Sequence, residues 1–216
     1  MLTLSLEKVQ RVLCLGAHSD DIEIGCGGTL LKLIEEVPDL EVYWVVFSAP
    51  GIRHNEAYDS AGEYLRPLRT PPPRLKIVSF RESYFPSQWA EIKDIFAEIA
   101  SSFSPDLVFT HAREDRHQDH RVLSDLTWNA FRNHLVLEYE ILKYDGDLGR
   151  PNLYVPLSEE TATRKIHYLF KHFTSQASSK HWFDRDSFNA LHRIRGLECA
   201  SRYAEAFYAR KLALTA

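Results

Sequence analysis

Short apolar runs alternate along this chain with longer segments in which apolar positions recur every three or four residues. Residues 12–15 (VLCL) form the first run, and residues 29–34 carry the first helical pattern after it. Residues 41–47 (EVYWVVF) are β-branched and aromatic and predict a second buried strand. Helical spacing follows over 53–66, with Ala57, Ala61 and Leu65 on one side. Pro67 and the run Pro71, Pro72, Pro73 end that helix and form a stiff connector. A strand is expected over 75–78, a helix over 87–103 with Ser87 as N-cap, a buried strand over 107–110 (LVFT) and a helix over 121–134. Later strands are expected at 140–144 and 153–155, and later helices at 159–173 and 188–207. Strand and helix alternate through the first two-thirds of the chain. This predicts an α/β fold, a Rossmann-like three-layer sandwich with a mostly parallel sheet and helices on both faces. No repeat or linker divides the chain, so residues 1–216 read as one domain.

Composition narrows the function classes. The formal net charge is −4, so no basic footprint argues for nucleic acid or an anionic membrane as partner. No apolar run approaches the ~18 residues of a membrane span, and no basic stretch followed by an apolar one opens the chain. Cys14, Cys26 and Cys199 form neither a CxxC pair nor an even framework, which fits a reduced, cytoplasmic chain. Cys14 reads as a small core residue, and for Cys26, among glycines, a place near a site is the minor alternative.

The chemistry gathers at two strand ends. The first run breaks at Gly16 and empties into His18, Asp20, Asp21 and Glu23, followed by Gly25, Gly27 and Gly28. One imidazole and three carboxylates so close together repel unless a cation holds them. The glycines match neither G-x-G-x-x-G nor a phosphate-binding loop. The second cluster, His117, Gln118, Asp119 and His120, also lies between a buried strand and a helix. Loops at the carboxyl ends of parallel strands open on one edge, so His18, Asp21, His117 and His120 can meet. Each cluster alone has an ordinary reading: a hydrogen-bonded structural histidine, a helix N-cap or a magnesium site. Together they predict a divalent-metal site, and two histidines with one carboxylate leave a coordination position open for catalysis.

Ala17-His18-Ser19-Asp20-Asp21 and His117-Gln118-Asp119-His120 resemble the motifs of the PIG-L/LmbE-like zinc-dependent de-N-acetylases, Ala-His-Pro-Asp-Asp and His-x-Asp-His. Arg53 with Glu56, the lead-in Ser104-Pro105-Asp106, Pro151 to Val155, His172 with Ser175 and Gln176, and Tyr203 to Phe207 extend the resemblance over nearly the whole chain. It implies His18, Asp21 and His120 as metal ligands, Asp20 as general base, His117 as the oxyanion-stabilising group when protonated, and Asp119 as the carboxylate that orients and charges His117. It implies Zn2+ as cofactor, although ligand type also admits Fe2+ or another divalent metal. The implied partner is a small N-acetylated sugar of the N-acetylglucosamine type, and a homo-oligomer is compatible with the resemblance. Zinc would activate a water for attack on the acetamide while Asp20 takes its proton. A zinc amidase on a non-sugar acyl amine is the alternative within enzymes, and an inactive sugar- or nucleotide-binding module the alternative outside them. Arg53 and His172 are the substrate-binding candidates, with an ion pair to Glu56 the competing role for Arg53. Trp182 is a candidate for stacking on a sugar. Two departures stand out. Ser19 replaces proline and is expected to compensate by a local hydrogen bond, and Glu82-Ser83 replaces an aspartate-glycine pair.

Overall fold

Alternate residues of the first strand, β1 (Arg11–Gly16), enter two different cores. Val12 and Cys14 pack beneath α1 (Asp21–Glu36), α2 (Ile52–Leu65), α5 (Glu159–His172) and α7 (Arg185–Glu198). Leu13 and Leu15 pack beneath α3 (Trp89–Ser102) and α4 (Gln118–Ala130). A strand covered on both faces needs an uninterrupted apolar run, and residues 12–15 supply it. The computed structural model describes residues 3–6, 8–68 and 72–213.

The other strands are β2 (Glu41–Val46), β3 (Arg74–Ile77), β4 (Leu107–His111), β5 (Leu135–Tyr139), β6 (Leu153–Leu157) and β7 (Tyr203–Ala209). A six-residue helix, α6 (Thr174–Ser179), precedes α7. The sheet order is β3-β2-β1-β4-β5-β7-β6, with β1 to β5 parallel and β7 antiparallel to both its neighbours. The fold is α/β with helices on both faces. Chain order reverses between β1 and β4, and in such sheets ligands collect outside the carboxyl ends of the strands at the reversal. These ends, Gly16 and His111, bring the two histidine-bearing loops side by side.

Four elements differ from expectation. The glycines lie inside α1, which starts at Asp21, and they serve close packing. A Cβ on Gly25 would stand 2.2 Å from the Tyr139 ring. Cys26 is therefore a fully buried core residue, its thiol on the Ile22 carbonyl, and not part of a site. Residues 140–144 are loop: α4 stops at Ala130, Phe131 is buried at its end, and the strand is Leu135–Tyr139. Ser87 belongs to a 3-10 turn, Phe85–Gln88, where its hydroxyl bonds the Tyr84 carbonyl and does not cap α3. The helix expected through residue 207 ends at Glu198, and Tyr203–Ala209 is a strand. Alanine and glutamate favour helix, but this segment is buried almost throughout, and Glu205 accepts N–H bonds from Gly28 and Thr29 (2.8 and 2.6 Å). Of the proline run, Pro71 lies outside the described residues.

Candidate metal centre

β1 ends in a tight turn that presents His18, and α1 starts three residues later with Asp21. The Asp21 carboxylate folds back to accept the His18 backbone N–H (2.6 Å), which fixes the Asp21 side chain. Asp20 occupies the N-cap position of α1 but makes no capping bond and lines the cleft. Across the strand reversal, α4 begins at Gln118, so Asp119 and His120 lie in its first turn. Its N-cap is His117, whose Nδ1 accepts the Asp119 backbone N–H (3.2 Å).

Three atoms converge. His18 Nδ1 lies 3.2 Å from His120 Nε2, and Asp21 Oδ2 lies 3.5 Å from each. A tetrahedral cation with bonds of about 2.0–2.1 Å separates its ligand atoms by about 3.4 Å. The second nitrogen of each histidine meets a carboxylate: His18 Nε2 meets Asp119 Oδ2 (3.0 Å) and His120 Nδ1 meets Asp115 Oδ2 (2.9 Å). Such outer carboxylates are the usual companions of metal-binding imidazoles. Two further histidines come close: His117 groups with His18 and His120, and His111 with Asp21 and His120. His111 Nε2 accepts the Ala17 N–H (3.0 Å), and His117 Nδ1 is occupied by its cap bond. The donor set therefore fits a divalent cation held by His18, Asp21 and His120.

The electrostatics agree. Burial opposes charge on His18, but Asp21 and Asp119 push its imidazole up to about 10. Carboxylates that hold a proton so firmly would equally favour a cation. Burial also works against ionised Asp21, yet His120, His111 and His18 hold it well below the usual carboxylate range. Burial and His111 push His120 down to about 3. Burial, with Asp21 beside it, pushes Asp20 up to about 7 against the pull of His18 and Arg53. His117 is lowered by burial and by His18.

A cleft of about 140 Å3 opens over this centre, lined by His18, Asp20, Asp21, Arg53, His117 and His120. Arg53 is fixed from two sides. Its Nη1 bonds Glu82 (2.7 Å), and the Gln176 amide oxygen, turned toward it, accepts from Nη2 and Nε at 3.0 Å. Glu56, the partner in the competing reading of Arg53, instead accepts from Thr174 and Ser175. Three expectations are corrected. Asp119 directs its carboxylate to His18, Ser83 N–H and Phe85 N–H, and only its backbone reaches His117. His172 pairs with Glu63 and does not line the cleft, because the last turn of α5 faces α2. The Ser19 hydroxyl is buried without a hydrogen-bond partner. Asp115 and His111 were missed. The spacing Asp115-x-His117-x-Asp119 was a legible signal for the first, whereas His111 ends an apolar strand and carries none.

A family model described as GlcNAc-PI de-N-acetylase (PIG-L) matches residues 13–131. No curated protein matches the chain. Among solved structures, N,N'-diacetylchitobiose deacetylase from Pyrococcus horikoshii is similar at 20% identity over 92% of this chain and 83% of that one, TM-score 0.66. The zinc-inhibited form of the teicoplanin deacetylase Orf2 is similar at 17% identity over 92% and 97%, TM-score 0.70. The 4-carboxy-2-hydroxymuconate hydratase GalB from Pseudomonas putida KT2440 shares the fold at 14% identity over 96% and 99%, TM-score 0.69. At these identities the likeness speaks for the fold.

Proposed function

The chain belongs to the PIG-L family of GlcNAc-PI de-N-acetylases, and from that premise we propose that it is a metal-dependent hydrolase that removes the acetyl group from the nitrogen of an N-acetylglucosamine-type sugar or glycoconjugate. The observation that carries this reading is the convergence of His18 Nδ1, Asp21 Oδ2 and His120 Nε2 within 3.2–3.5 Å, with Asp20 on the same cleft.

His18, Asp21 and His120 would hold the cation, with Asp119 and Asp115 orienting the two imidazoles. Two histidines and one carboxylate suit zinc with a position left open, and the same set accepts iron(II). When bound, the cation supplies a Lewis acid that acidifies water and polarises the acyl carbonyl.

The remaining work falls to side chains. Asp20, on the cleft wall beside the three converging atoms, accepts the proton of the attacking water and returns it to the departing amine. His117 acts in its neutral form, in place of the protonated form that the resemblance implied. Its Nδ1 accepts the cap bond, so Nε2 carries the proton and donates toward the developing oxyanion. Arg53, pre-set by Glu82 and Gln176, grips a substrate oxygen.

Acetate release tests this reading with free, nucleotide-linked, lipid-linked and glycosidic N-acetylglucosamine, with and without zinc. Metal-dependent release from at least one derivative is expected. Stoichiometric metal binding without release from any of them would overturn the sugar-amide reading.

A further inference from the structure

The cleft has a rim that the hydrolysis does not use. Tyr144 is 60% exposed, large and aromatic, yet it lines the same cleft as His18, Asp20 and His117, with Trp182 beside it. The two rings lie 6.1 Å apart at 73°, and His181 stands edge-on to Tyr144 at 5.0 Å.

An exposed side chain on a loop ordinarily moves, but this loop is anchored at both ends of its turn. The neighbouring Lys143 side chain is only 6% exposed and bonds Asp147 (2.6 Å) and Asp115 (3.0 Å). Asp115 in turn holds His120, and Asp147 accepts the Arg116 N–H (2.8 Å). Gly146 makes the turn between them at φ 58°, where a side chain would be strained. On the other side, Trp182 packs on buried Phe183, which is wedged against Phe170 and Phe188. Two aromatic groups thus stand at the mouth on fixed supports, flanked by Asp145 and Lys180.

Aromatic faces next to a carboxylate and an ammonium suit a ring whose faces are C–H and whose edge is hydroxyl. Fixed supports remove much of the ordering cost of binding it. We propose that Tyr144 and Trp182, with Asp145 and Lys180, form a second subsite that takes a sugar ring adjoining the one that loses its acetyl group. The inference rests on the deacetylase reading and sharpens it: the substrate is a disaccharide or longer glycan.

The test compares kcat/KM on N-acetylglucosamine, N,N'-diacetylchitobiose and the phenyl glycoside of N-acetylglucosamine. One ring-stacking contact of about 1.4 kcal/mol corresponds to about ten-fold. Wild type should favour the disaccharide by at least about that factor, and Tyr144→Ala should bring the ratio toward one through KM, while Tyr144→Phe keeps it. A wild-type ratio near one, or a Tyr144→Ala loss equal on both sugars, overturns the proposal. So does a gain confined to the phenyl glycoside, which would mark a site for flat aromatic groups. Binding to Asp20→Asn followed by calorimetry is independent of turnover. If no derivative releases acetate, the deacetylase reading fails. Tighter binding of the disaccharide than the monosaccharide, lost in Asp20→Asn/Tyr144→Ala, would still uphold the subsite, and equal binding would overturn it.

Discussion

The Asp119 carboxylate lies 3.0 Å from His18 Nε2, although 101 residues separate the two in sequence. The same carboxylate accepts backbone N–H bonds from Ser83 (2.6 Å) and Phe85 (3.1 Å), so it ties three strand-end loops to one imidazole. Asp119→Asn should weaken zinc binding about 10- to 100-fold, the usual effect of losing such an outer partner. Competition with a chromophoric chelator measures it, and unchanged affinity would contradict the arrangement.

Ser83 has φ 66° in the left-handed region, where a residue with a Cβ is strained by about 1–2 kcal/mol. Ser83→Gly relieves that strain but loses more chain entropy on folding. The expected net gain is about 0.5–1 kcal/mol, read as a higher urea midpoint at unchanged slope.

Gly25 is a packing position. Its missing Cβ leaves room for the Tyr139 ring, and Tyr139 is itself held by a 2.6 Å bond to the Leu15 carbonyl. Gly25→Ala should destabilise the protein by about 1–3 kcal/mol. Because α1 begins at Asp21, it should weaken zinc binding in the same variant. A wild-type melting temperature would show that the sheet yields more easily than the distance implies.

His192 is buried against Lys165, whose ammonium donates to its Nε2 (3.1 Å) and also bonds Glu205 (2.6 Å) and the Ile24 carbonyl (2.7 Å). Burial, then Lys165, pushes its pKa well below the ordinary 6.5. The unfolded chain therefore takes up the proton first, and stability falls as pH drops below about 6.5. His192→Gln should flatten that acid limb by up to about 1.4 kcal/mol per pH unit. Urea unfolding of both proteins across roughly pH 5 to 7.5 isolates the contribution as the difference between the curves.

The strands as far as β4 were legible because a strand covered on both faces must be continuously apolar, as residues 12–15 and 107–110 are. The C-terminal strand was not, because Tyr203–Ala209 is rich in helix formers and its sheet position is set by tertiary partners such as the α1 backbone that Glu205 binds. That His18, Asp21, His117 and His120 meet was legible because strand-end loops of a parallel sheet must share an edge, whereas the narrower set His18, Asp21 and His120 came from the resemblance of the motifs. The partner of Asp119 was not. Sequence proximity favours His117, whereas the turn of α4 carries the carboxylate toward His18. His172 failed for a similar reason: nothing in its spacing reveals that its face of α5 meets Glu63.

The most direct test measures zinc content and acetate release side by side for wild type and Asp20→Asn. Asp20 lines the cleft without belonging to the three converging atoms, so the variant should retain one zinc per chain while acetate release falls by about 10²- to 10⁴-fold, the range for losing a general base. Loss of zinc in the variant would make Asp20 a ligand, and undiminished release would remove it from the reaction.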